Sequence, residues 1–406
     1  MKLLQISPRV PYPLTDGGSI SIFNITRQLS ERGAQIYFVA VSGNPKSDLP
    51  DELSRLCQDG LIADTTKTYG LKTALINLFS SAPINIQKYH AKSTLDKIVD
   101  FVKNKQFDLI HVDHLHVAYY GIALSRIFNV PVALREHNLE LKIMERFSKS
   151  SGNPVYRAYA KSQMKKFMKY EPLICSMVDK CIMITEEDRD RLLSMRKDVD
   201  AIVIPAGVDT DFFKPSDLIG DEDTIIYVGG LDWLPNIDGL KWFVNEVMPI
   251  VIKSKPNVKF YIYGKGASHG VDKLDDGKNV IVKGFIKDVR QAFEKGRVMV
   301  VPLLAGSGIR IRILEAMAAG KPIVTTSIGC EGIKTEPGKN IMVADTAKHF
   351  AEKVLLLLND GNLCKAIGKE AGSFVSDEYS WHRIGDMFWH TYNEIIDKKR
   401  KSPGLK

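Results

Sequence analysis

The sequence predicts an α/β protein that contains two parallel β-sheets, each covered on both faces by helices. Short apolar runs typical of buried strands alternate with helical stretches along the whole chain. A segment rich in turn residues, Pro205–Pro215, interrupts this alternation and separates two similar series. The chain has 406 residues, which is too long for one core and fits two domains of about 200 residues each.

The strands are predicted from their apolar composition and from the turn residues that flank them. The first series comprises Leu3–Ser7, Gln35–Val41, Leu109–Val112, Pro131–Leu134, Cys181–Ile184 and Ala201–Ile204. The second comprises Thr224–Val228, Lys259–Tyr263, Val280–Lys283, Val298–Val301 and Ile323–Thr325. Because parallel sheets bind ligands at the carboxyl ends of their strands, function should reside in the turns that follow them.

The composition is that of a globular protein, with 44% apolar and 26% charged residues. No apolar run approaches the roughly 18 residues of a membrane helix, and the first residues do not form a signal peptide. The five cysteines have no metal-binding spacing. We therefore expect a cytoplasmic protein, either free or bound peripherally at the inner face of the membrane.

The net charge of +8 is unevenly distributed. Between Lys142 and Lys169 there are eight lysines and arginines and a single acid, Glu145. The segment from Pro154 onward is either a helix with a solvated basic face or a surface that attracts anionic lipid headgroups or a phosphorylated acceptor. No nucleic-acid-binding motif accompanies the charge, so no nucleic acid is expected as a partner.

The turn after the first strand, Pro11–Ser19, contains Gly17 and Gly18 and precedes a helix predicted to start near Ser19 or Ser21. Two adjacent glycines allow the backbone to approach a ligand closely, and they equally suit a plain tight turn.

The histidines of the first series are individually weak signals. His111, His114 and His116 are predicted at a strand end, where alternation would distribute them over two faces, so no metal site is expected. His137 follows the strand Pro131–Leu134 on its carboxyl side. It is either a structural histidine or a ligand contact.

In the second series, Gly229 and Gly230 precede a helix predicted at Ile237–Val247 with Asn236 as its N-cap. These glycines could approach a phosphate or simply turn the chain. Phe285 follows a strand and could line a base pocket, although core packing is more common for phenylalanine. The glycines of Gly264–Gly270 do not form the dinucleotide-binding pattern, and there is no Walker motif or nucleophile elbow.

The stretch Pro302–Thr325 carries the strongest signal. A small-residue turn, Ala305–Gly308, leads into a helix predicted at Ile309–Ala319, and Gly320 occupies the position of a left-handed C-cap. A strand, a glycine turn and a helix N-terminus direct free N–H groups at one point, which suits a phosphate.

Arg310 and Arg312 are predicted in the first turn of this helix, where its dipole disfavours cations and a bound anion would reverse that effect. Glu315 follows one turn later and could accept bonds from sugar hydroxyls. An ordinary surface Arg–Glu pair would give the same local pattern.

Four segments together resemble the retaining glycosyltransferases of family 4, which have the GT-B architecture of two Rossmann-like, doubly wound domains facing across a cleft. The linker Val203–Asp209 with Phe212 and Phe213 is similar to the family's interdomain signature. The segment GSGIRIRILEAMAAGKPIVTT is similar to its donor-site segment. Pro11–Gly18 and His137 match its N-terminal glycine loop and histidine.

The resemblance implies a role for each matched residue. Glu315 would hold the donor ribose, Arg310 and Arg312 would neutralise the diphosphate, and His137 would contact the transferred sugar. Gly17 and Gly18, and Gly229 and Gly230, would approach the phosphates, and Leu231 replaces an arginine often found in the family. The expected donor-binding set is Gly17, Gly18, Gly229, Gly230, Phe285, Ser307, Gly308, Ile309, Arg310, Arg312 and Glu315, with His137, Arg310 and Glu315 as catalytic residues.

The break in the alternation predicts domains at 1–204 and 205–380, and the resemblance predicts that a last helix at 381–397 packs back on the first. The resemblance implies transfer from a UDP- or GDP-sugar to a glycan or lipid-linked acceptor without a metal or other cofactor. One departure is serious: Ser307 replaces the first glutamate of the family's paired-glutamate motif, which leaves the sugar unspecified. A nucleotide-sugar 2-epimerase and a non-catalytic nucleotide-sugar-binding protein remain alternatives.

Overall fold

A computed structural model describes residues 1–14, 16–43, 48–64, 76–150, 154–215, 220–266, 270–306 and 308–401, without the side chains of residues 146, 149 and 150. The chain folds into two compact units. The first unit contains Met1–Pro205 and Ile384–Lys406, and the second contains Ala206–Arg383.

The first unit is built on a seven-stranded parallel sheet with the order β3-β2-β1-β4-β5-β6-β7. Its strands are β1 (Lys2–Ser7), β2 (Gln35–Ser42), β3 (Asp59–Asp64), β4 (Leu109–Asp113), β5 (Val132–Glu136), β6 (Lys180–Met183) and β7 (Ala201–Val203). Its helices are α1 (Gly17–Glu31), α2 (Asp51–Ser54), α3 (Ile84–Gln87), α4 (Lys92–Val102), α5 (Ala118–Phe128), α6 (Glu140–Ser150), α7 (Pro154–Cys175) and α8 (Glu186–Met195).

The second unit has a six-stranded parallel sheet with the order β10-β9-β8-β11-β12-β13. Its strands are β8 (Asp221–Val228), β9 (Lys259–Tyr263), β10 (Val280–Gly284), β11 (Gly296–Val301), β12 (Ile323–Thr325) and β13 (Met342–Val343). Its helices are α9 (Leu234–Trp242), α10 (Met248–Ser254), α11 (Arg290–Lys295), α12 (Ile311–Ala318), α13 (Ala347–Asn359) and α14 (Gly361–Tyr379). The last helix, α15 (Trp381–Lys401), begins in the second unit and continues into the first.

The predicted doubly wound arrangement is confirmed in both units. In β8, Ile225 and Tyr227 belong to one apolar cluster, whereas Ile226 and Val228 belong to another. Successive side chains of a strand point to opposite faces, so both faces of this sheet are covered. The strand order reverses between β1 and β4 in the first unit and between β8 and β11 in the second. Ligands of such sheets bind at these switch points.

Three predicted helix starts are wrong. The first helix begins at Gly17, because Asp16 accepts the Ser19 N–H and caps it. Helix α9 begins at Leu234 rather than Ile237, and the side chain of Asn236 donates to the Gly230 carbonyl instead of capping. Helix α12 begins at Ile311. The left-handed conformation predicted for Gly320 is confirmed by its φ of +69°.

No helix among the described residues is both long and apolar enough to cross a membrane.

A buried carboxylate joins α7 to the start of α6. Glu171 is fully buried and accepts hydrogen bonds from the backbone N–H groups of Glu140 and Leu141, at 2.8 and 3.2 Å. Burial raises the pKa of Glu171 to about 8 and that of Glu140 to about 7. Their ionisation in the folded state is therefore disfavoured.

We expect stability to fall as pH rises from about 4.5 to about 8, because carboxyls with raised pKa values release their protons more readily in the unfolded chain. Glu171→Gln should reduce this loss, since the amide cannot ionise. The apparent Tm at pH 5 and pH 8 measures the effect. The exposed Glu187→Gln is the matched control and should lose as much Tm between pH 5 and pH 8 as the wild type. If Glu171→Gln also loses as much Tm as the wild type, the raised pKa of Glu171 is contradicted.

Candidate active site

The loop after β11 and the start of α12 bring the two predicted arginines close to the carboxyl end of β8. Arg310 is the N-cap residue of α12 and has an extended backbone, so it precedes the helix instead of lying in its first turn. Arg312 is the second residue of the helix, which begins at Ile311. Both guanidinium groups are therefore beside the positive end of the helix dipole.

Arg310 is held by the loop and by an aromatic ring. Its Nη1 donates to the carbonyl of Gly308 at 2.8 Å, and its guanidinium carbon lies 5.4 Å from the ring centroid of Trp233. Gly306 has a φ of +140°, and a Cβ there would lie 2.3 Å from Arg310 Nη2. The turn thus needs glycine both for its conformation and for the space that the guanidinium occupies.

Glu315 is buried and forms an ion pair with the half-exposed Arg312. Burial raises the pKa of Glu315, and the neighbouring Arg312 partly offsets this. The carboxylate retains one oxygen, Oε1, for which the structure gives no bond to Arg312. It can accept a hydrogen bond from a hydroxyl while the ion pair is intact.

Tyr227, near the end of β8, lies close enough to Arg310 and Arg312 to interact with their charges. It is 3% exposed. Burial raises its pKa, and the positive charges of Arg310 and Arg312 oppose that rise. A Cβ at Gly229 would lie 2.4 Å from the Tyr227 hydroxyl oxygen, so the turn after β8 passes directly over this hydroxyl.

The glycine turn after β8 is also bonded to the neighbouring strand. The Gly229 N–H donates to the Tyr263 carbonyl at 3.1 Å, so this donor is already used. A Cβ at Gly264 would lie 1.9 Å from the Gly229 carbonyl oxygen. Gly229 and Gly264 therefore permit a close approach of two chain segments.

The remaining predicted donor-binding residues differ in their location and exposure. Gly308 and Ile309 lie in the loop with Arg310, and Gly230 follows Gly229. Phe285 is 71% exposed after β10, so it does not take the alternative role of packing in the core. Ser307 lies outside the described residues.

In the first unit, the carboxyl ends of β1, β4 and β5 present a second group of predicted residues. Gly17 is the first residue of α1, and a Cβ at Gly18 would lie 3.1 Å from Asp16 Oδ1. Asp16 also forms an ion pair with Arg9 at 3.1 Å. Gly18 therefore provides space for the capping carboxylate.

His137 follows β5 and is held by Asp113 at the end of β4. Its Nε2 lies 3.3 Å from Asp113 Oδ1, and its ring stacks on His114 at a centroid distance of 3.7 Å. His114 has a φ of +70°, a conformation that is costly for a residue with a side chain. Of the three clustered histidines, only His111 lies in the strand.

Asp113 is the centre of a buried polar network. Gln5 Nε2 donates to its Oδ2 at 2.9 Å, and His111 Nε2 lies 3.0 Å from the same oxygen. The guanidinium of Arg135, also fully buried, approaches Oδ1 to 3.8 Å. Burial alone would raise the pKa of Asp113, but His111 and His137 hold it well below its usual range.

The network extends to the last helix and to α1. The Tyr392 hydroxyl, on α15, is hydrogen-bonded to His111 Nδ1. Arg135 donates to the Ser21 hydroxyl at 2.8 Å. The network therefore connects Asp113 to both helices.

The network determines the protonation state and the tautomer of His137. Burial and the nearby Arg135 lower its pKa to about 4, so the ring is neutral at pH 7. Nε2 lies 3.4 Å from Arg135 Nη1 and nearer to the Asp113 carboxylate. The carboxylate favours the tautomer with the proton on Nε2, which leaves Nδ1 as a hydrogen-bond acceptor.

Among the described residues, no three His, Cys, Asp or Glu side chains are grouped so that they could hold a metal ion.

Two family models match this chain in succession. Residues 15–212 match "Glycosyltransferase Family 4", and residues 222–360 match "Glycosyl transferases group 1". The chain belongs to glycosyltransferase family 4. As a glycosyltransferase it is a transferase enzyme, and its two parallel-sheet units are those of the GT-B fold.

Similar proteins align with nearly the whole length of this glycosyltransferase. An uncharacterised 44.6 kDa protein in the cps region of Klebsiella pneumoniae is 24% identical over 94% of this chain and 97% of its own length. Sucrose-phosphate synthase from Thermosynechococcus elongatus matches with a TM-score of 0.74 and 17% identity, covering 98% of this chain and 100% of that one. A TarM variant from Staphylococcus aureus, in complex with fondaparinux, α-GlcNAc-glycerol and UDP, gives a TM-score of 0.66 at 15% identity, with coverages of 97% and 100%.

Sequence reasoning did not identify Tyr227, Trp233 or Asp113 in the glycosyltransferase. Tyr227 and Trp233 flank the glycines after β8. This position next to a predicted phosphate turn is the sequence feature that could have identified them. Asp113 lies between two histidines that were considered only as metal ligands. Its contacts with Gln5 and Arg135 depend on strand pairing, which single-sequence patterns do not reveal.

Proposed function

We propose that this glycosyltransferase moves a sugar from a UDP- or GDP-sugar to a hydroxyl acceptor with retention of anomeric configuration. The observation that carries the proposal is the pair of arginines at the amino end of α12, beside the loop and turn described above. Two positive charges near a helix N-terminus suit a diphosphate. The uridine nucleotide is the first to test, because the TarM complex contains UDP.

In the proposed reaction, the bond between the sugar and the phosphate breaks and negative charge develops on the leaving diphosphate. Arg310, Arg312 and the dipole of α12 would stabilise that charge as fixed, preorganised groups. Because these groups supply the positive charge, we propose that no metal is required. The leaving phosphate would accept the proton of the acceptor hydroxyl, which attacks from the same face of the sugar.

Two further residues complete the proposed donor site. Glu315 would accept a hydrogen bond from the donor ribose through its remaining oxygen. His137 would accept one from a hydroxyl of the transferred sugar through Nδ1, since Asp113 keeps the proton on Nε2. We propose Gly17, Gly18, Gly230, Gly308 and Ile309 as phosphate-side positions and Phe285 as a contact of the base.

We propose that the acceptor belongs to surface polysaccharide or lipid-linked glycan synthesis at the inner face of the membrane. The Klebsiella relative encoded in a cps region supports this class. The basic segment Lys142–Lys169 supports contact with an anionic membrane, because positive side chains are attracted to anionic headgroups.

The stereochemistry can be tested without knowing the acceptor. Incubated with UDP-α-glucose, UDP-α-GlcNAc or GDP-α-mannose, the enzyme should slowly transfer the sugar to water. Proton NMR of the first-formed sugar should show the α anomer, together with UDP or GDP. A β anomer formed first would contradict retention. Release of a sugar epimerised at C2 would identify an epimerase, and a nucleotide-dependent rise in Tm without any turnover would indicate a binding protein.

A further inference from the structure

The buried tyrosines of this chain differ in what their hydroxyl groups contact. Five tyrosines are buried among the described residues, namely Tyr120, Tyr227, Tyr263, Tyr379 and Tyr392. Three of them have a hydroxyl that is hydrogen-bonded to another residue, namely Tyr120, Tyr379 and Tyr392. The Tyr379 hydroxyl, for example, accepts the N–H of Lys334 at 3.0 Å. A partner of this kind is the normal state of a buried tyrosine, because an unpaired buried hydroxyl is costly.

The hydroxyl of Tyr227 lacks such a partner within the described part of the chain. It makes no hydrogen bond to any residue there, although the residue is only 3% exposed. It is also not one of the described polar atoms that are at once unpaired and completely shielded from solvent. A narrow opening therefore reaches this hydroxyl from outside, and a ligand oxygen at the opening can accept a hydrogen bond from it.

The turn that borders this opening is fixed in place. The Gly229 N–H donates to the Tyr263 carbonyl at 3.1 Å, and the Leu231 N–H donates to the Lys265 carbonyl at 2.8 Å. A Cβ at Gly229 would lie 2.4 Å from the Tyr227 hydroxyl oxygen, so the glycine leaves the space that this hydroxyl occupies. The accessible, unpaired hydroxyl is therefore a built feature of the carboxyl end of β8, where ligands of a parallel sheet bind.

Two cations act on the same hydroxyl. Burial raises the pKa of Tyr227, and the positive charges of Arg310 and Arg312 oppose that rise without cancelling it. At pH 7 the hydroxyl therefore keeps its proton and can donate a hydrogen bond. The pKa of Tyr263, whose buried hydroxyl is also unbonded, is raised by burial and by Tyr261, and neither arginine acts on it. Of these two hydroxyls, that of Tyr227 is the one next to the positive charge that would hold a diphosphate.

We propose that the Tyr227 hydroxyl donates a hydrogen bond to a phosphate oxygen of the nucleotide diphosphate. This inference rests on the proposed function and adds a neutral donor to the two arginines of the donor site. The new bond is gained without breaking another bond within the described protein, so its full strength contributes to binding. The bond strengthens as negative charge develops on the leaving diphosphate, and the proton stays on Tyr227 throughout.

Tyr227→Phe removes the hydroxyl oxygen alone and tests the proposal directly. A hydrogen bond to a charged group corresponds to a difference in affinity of roughly 10- to 100-fold. Titration calorimetry of the full chain with UDP, and with GDP, should therefore show that the variant binds the preferred nucleotide about 10-fold more weakly or worse. Hydrolysis of the matching donor sugar should slow by about 10- to 100-fold, because the leaving diphosphate loses a hydrogen-bond donor.

The stability of the variant separates a ligand contact from a structural contact. Because the Tyr227 hydroxyl has no partner among the described residues, its removal should leave the Tm of the nucleotide-free protein unchanged or slightly higher. Tyr379→Phe is the matched control, since Tyr379 is also 3% exposed and its hydroxyl is bonded to Lys334. This control should lower the Tm by about 2–4 °C and keep the nucleotide affinity within about twofold of wild type.

Two results would overturn this inference while the proposed function stands. Wild-type nucleotide affinity in Tyr227→Phe would show that the hydroxyl contacts water and not the diphosphate. A fall in Tm as large as that of Tyr379→Phe would show that the hydroxyl stabilises the fold. A wild-type protein that binds neither UDP nor GDP and hydrolyses no donor would instead refute the proposed function, and this inference with it.

Discussion

Arg310→Ala is expected to lower the rate of sugar transfer, or of donor hydrolysis, by about 100- to 1,000-fold. The guanidinium is held by the Gly308 carbonyl and the Trp233 ring, next to the N-terminus of α12. It is thus fixed in place before any charge develops on a leaving diphosphate. The loss should appear mainly in kcat, since developing charge is stabilised most in the transition state. Steady-state rates with UDP-glucose or GDP-mannose measure it.

Arg290→Ala is the matched control for this prediction. Arg290 also lies over an aromatic ring, at 3.9 Å from the Phe212 centroid, and it is paired with Asp288. It lies on α11, and the described residues of the Arg310 loop make no contact with it that the structure records. Its removal should change the rate less than twofold. If Arg310→Ala retained near wild-type transfer with an unchanged Tm, the diphosphate site would have to lie elsewhere.

Asp113→Ala should destabilise the first unit by about 3–5 kcal/mol, because it leaves the guanidinium of Arg135 buried without its countercharge. For a unit of this size, that corresponds to a fall in Tm of about 10 °C. Activity should fall further than folding alone explains, since His137 loses the carboxylate that orients it. Thermal unfolding followed by circular dichroism, and hydrolysis rates at 20 °C, measure the two effects separately.

An exposed carboxylate provides the comparison for Asp113. Asp100 is ion-paired with Lys103 at 3.1 Å, but its side chain is 73% exposed. Exposed ion pairs of this kind contribute little to the free energy of unfolding. Asp100→Ala should therefore shift the Tm by less than about 2 °C. Combining Asp113→Ala with Arg135→Met should recover part of the lost stability, because it removes the uncompensated charge. A Tm loss in Asp113→Ala no larger than that of Asp100→Ala would refute the account of the network.

The central strands could be predicted because each is a continuous apolar run, as expected when both faces of a parallel sheet are buried. Two strands were missed, and both are edge strands. Asp59–Asp64 begins and ends with aspartate and is only partly buried, and Met342–Val343 is too short to produce a pattern. The helix starts were misplaced because Asp16 and Arg310 precede their helices as N-cap residues, a role that the apolar periodicity does not show.

The donor side of the site was predictable because its residues lie within one short stretch of sequence. Arg312 and Glu315 are three positions apart, a spacing that a helix brings together, and Arg310 directly precedes that helix. The network of Asp113 joins residues that are up to 281 positions apart, as between His111 and Tyr392. Only the order of strands and the path of the last helix bring them into contact.

The course of α15 has a consequence for synthesis on the ribosome. Residues 1–205 emerge first, but Phe388 and Tyr392, which are completely buried in the same unit, are translated only after the whole second unit. Until then, His111 lacks its tyrosine, and the ring of Phe388 is missing from beside Arg135. The nascent first sheet therefore lacks part of its apolar cover until the last helix has been made. For the same reason, a single proteolytic cut cannot release the first unit with all of its own residues.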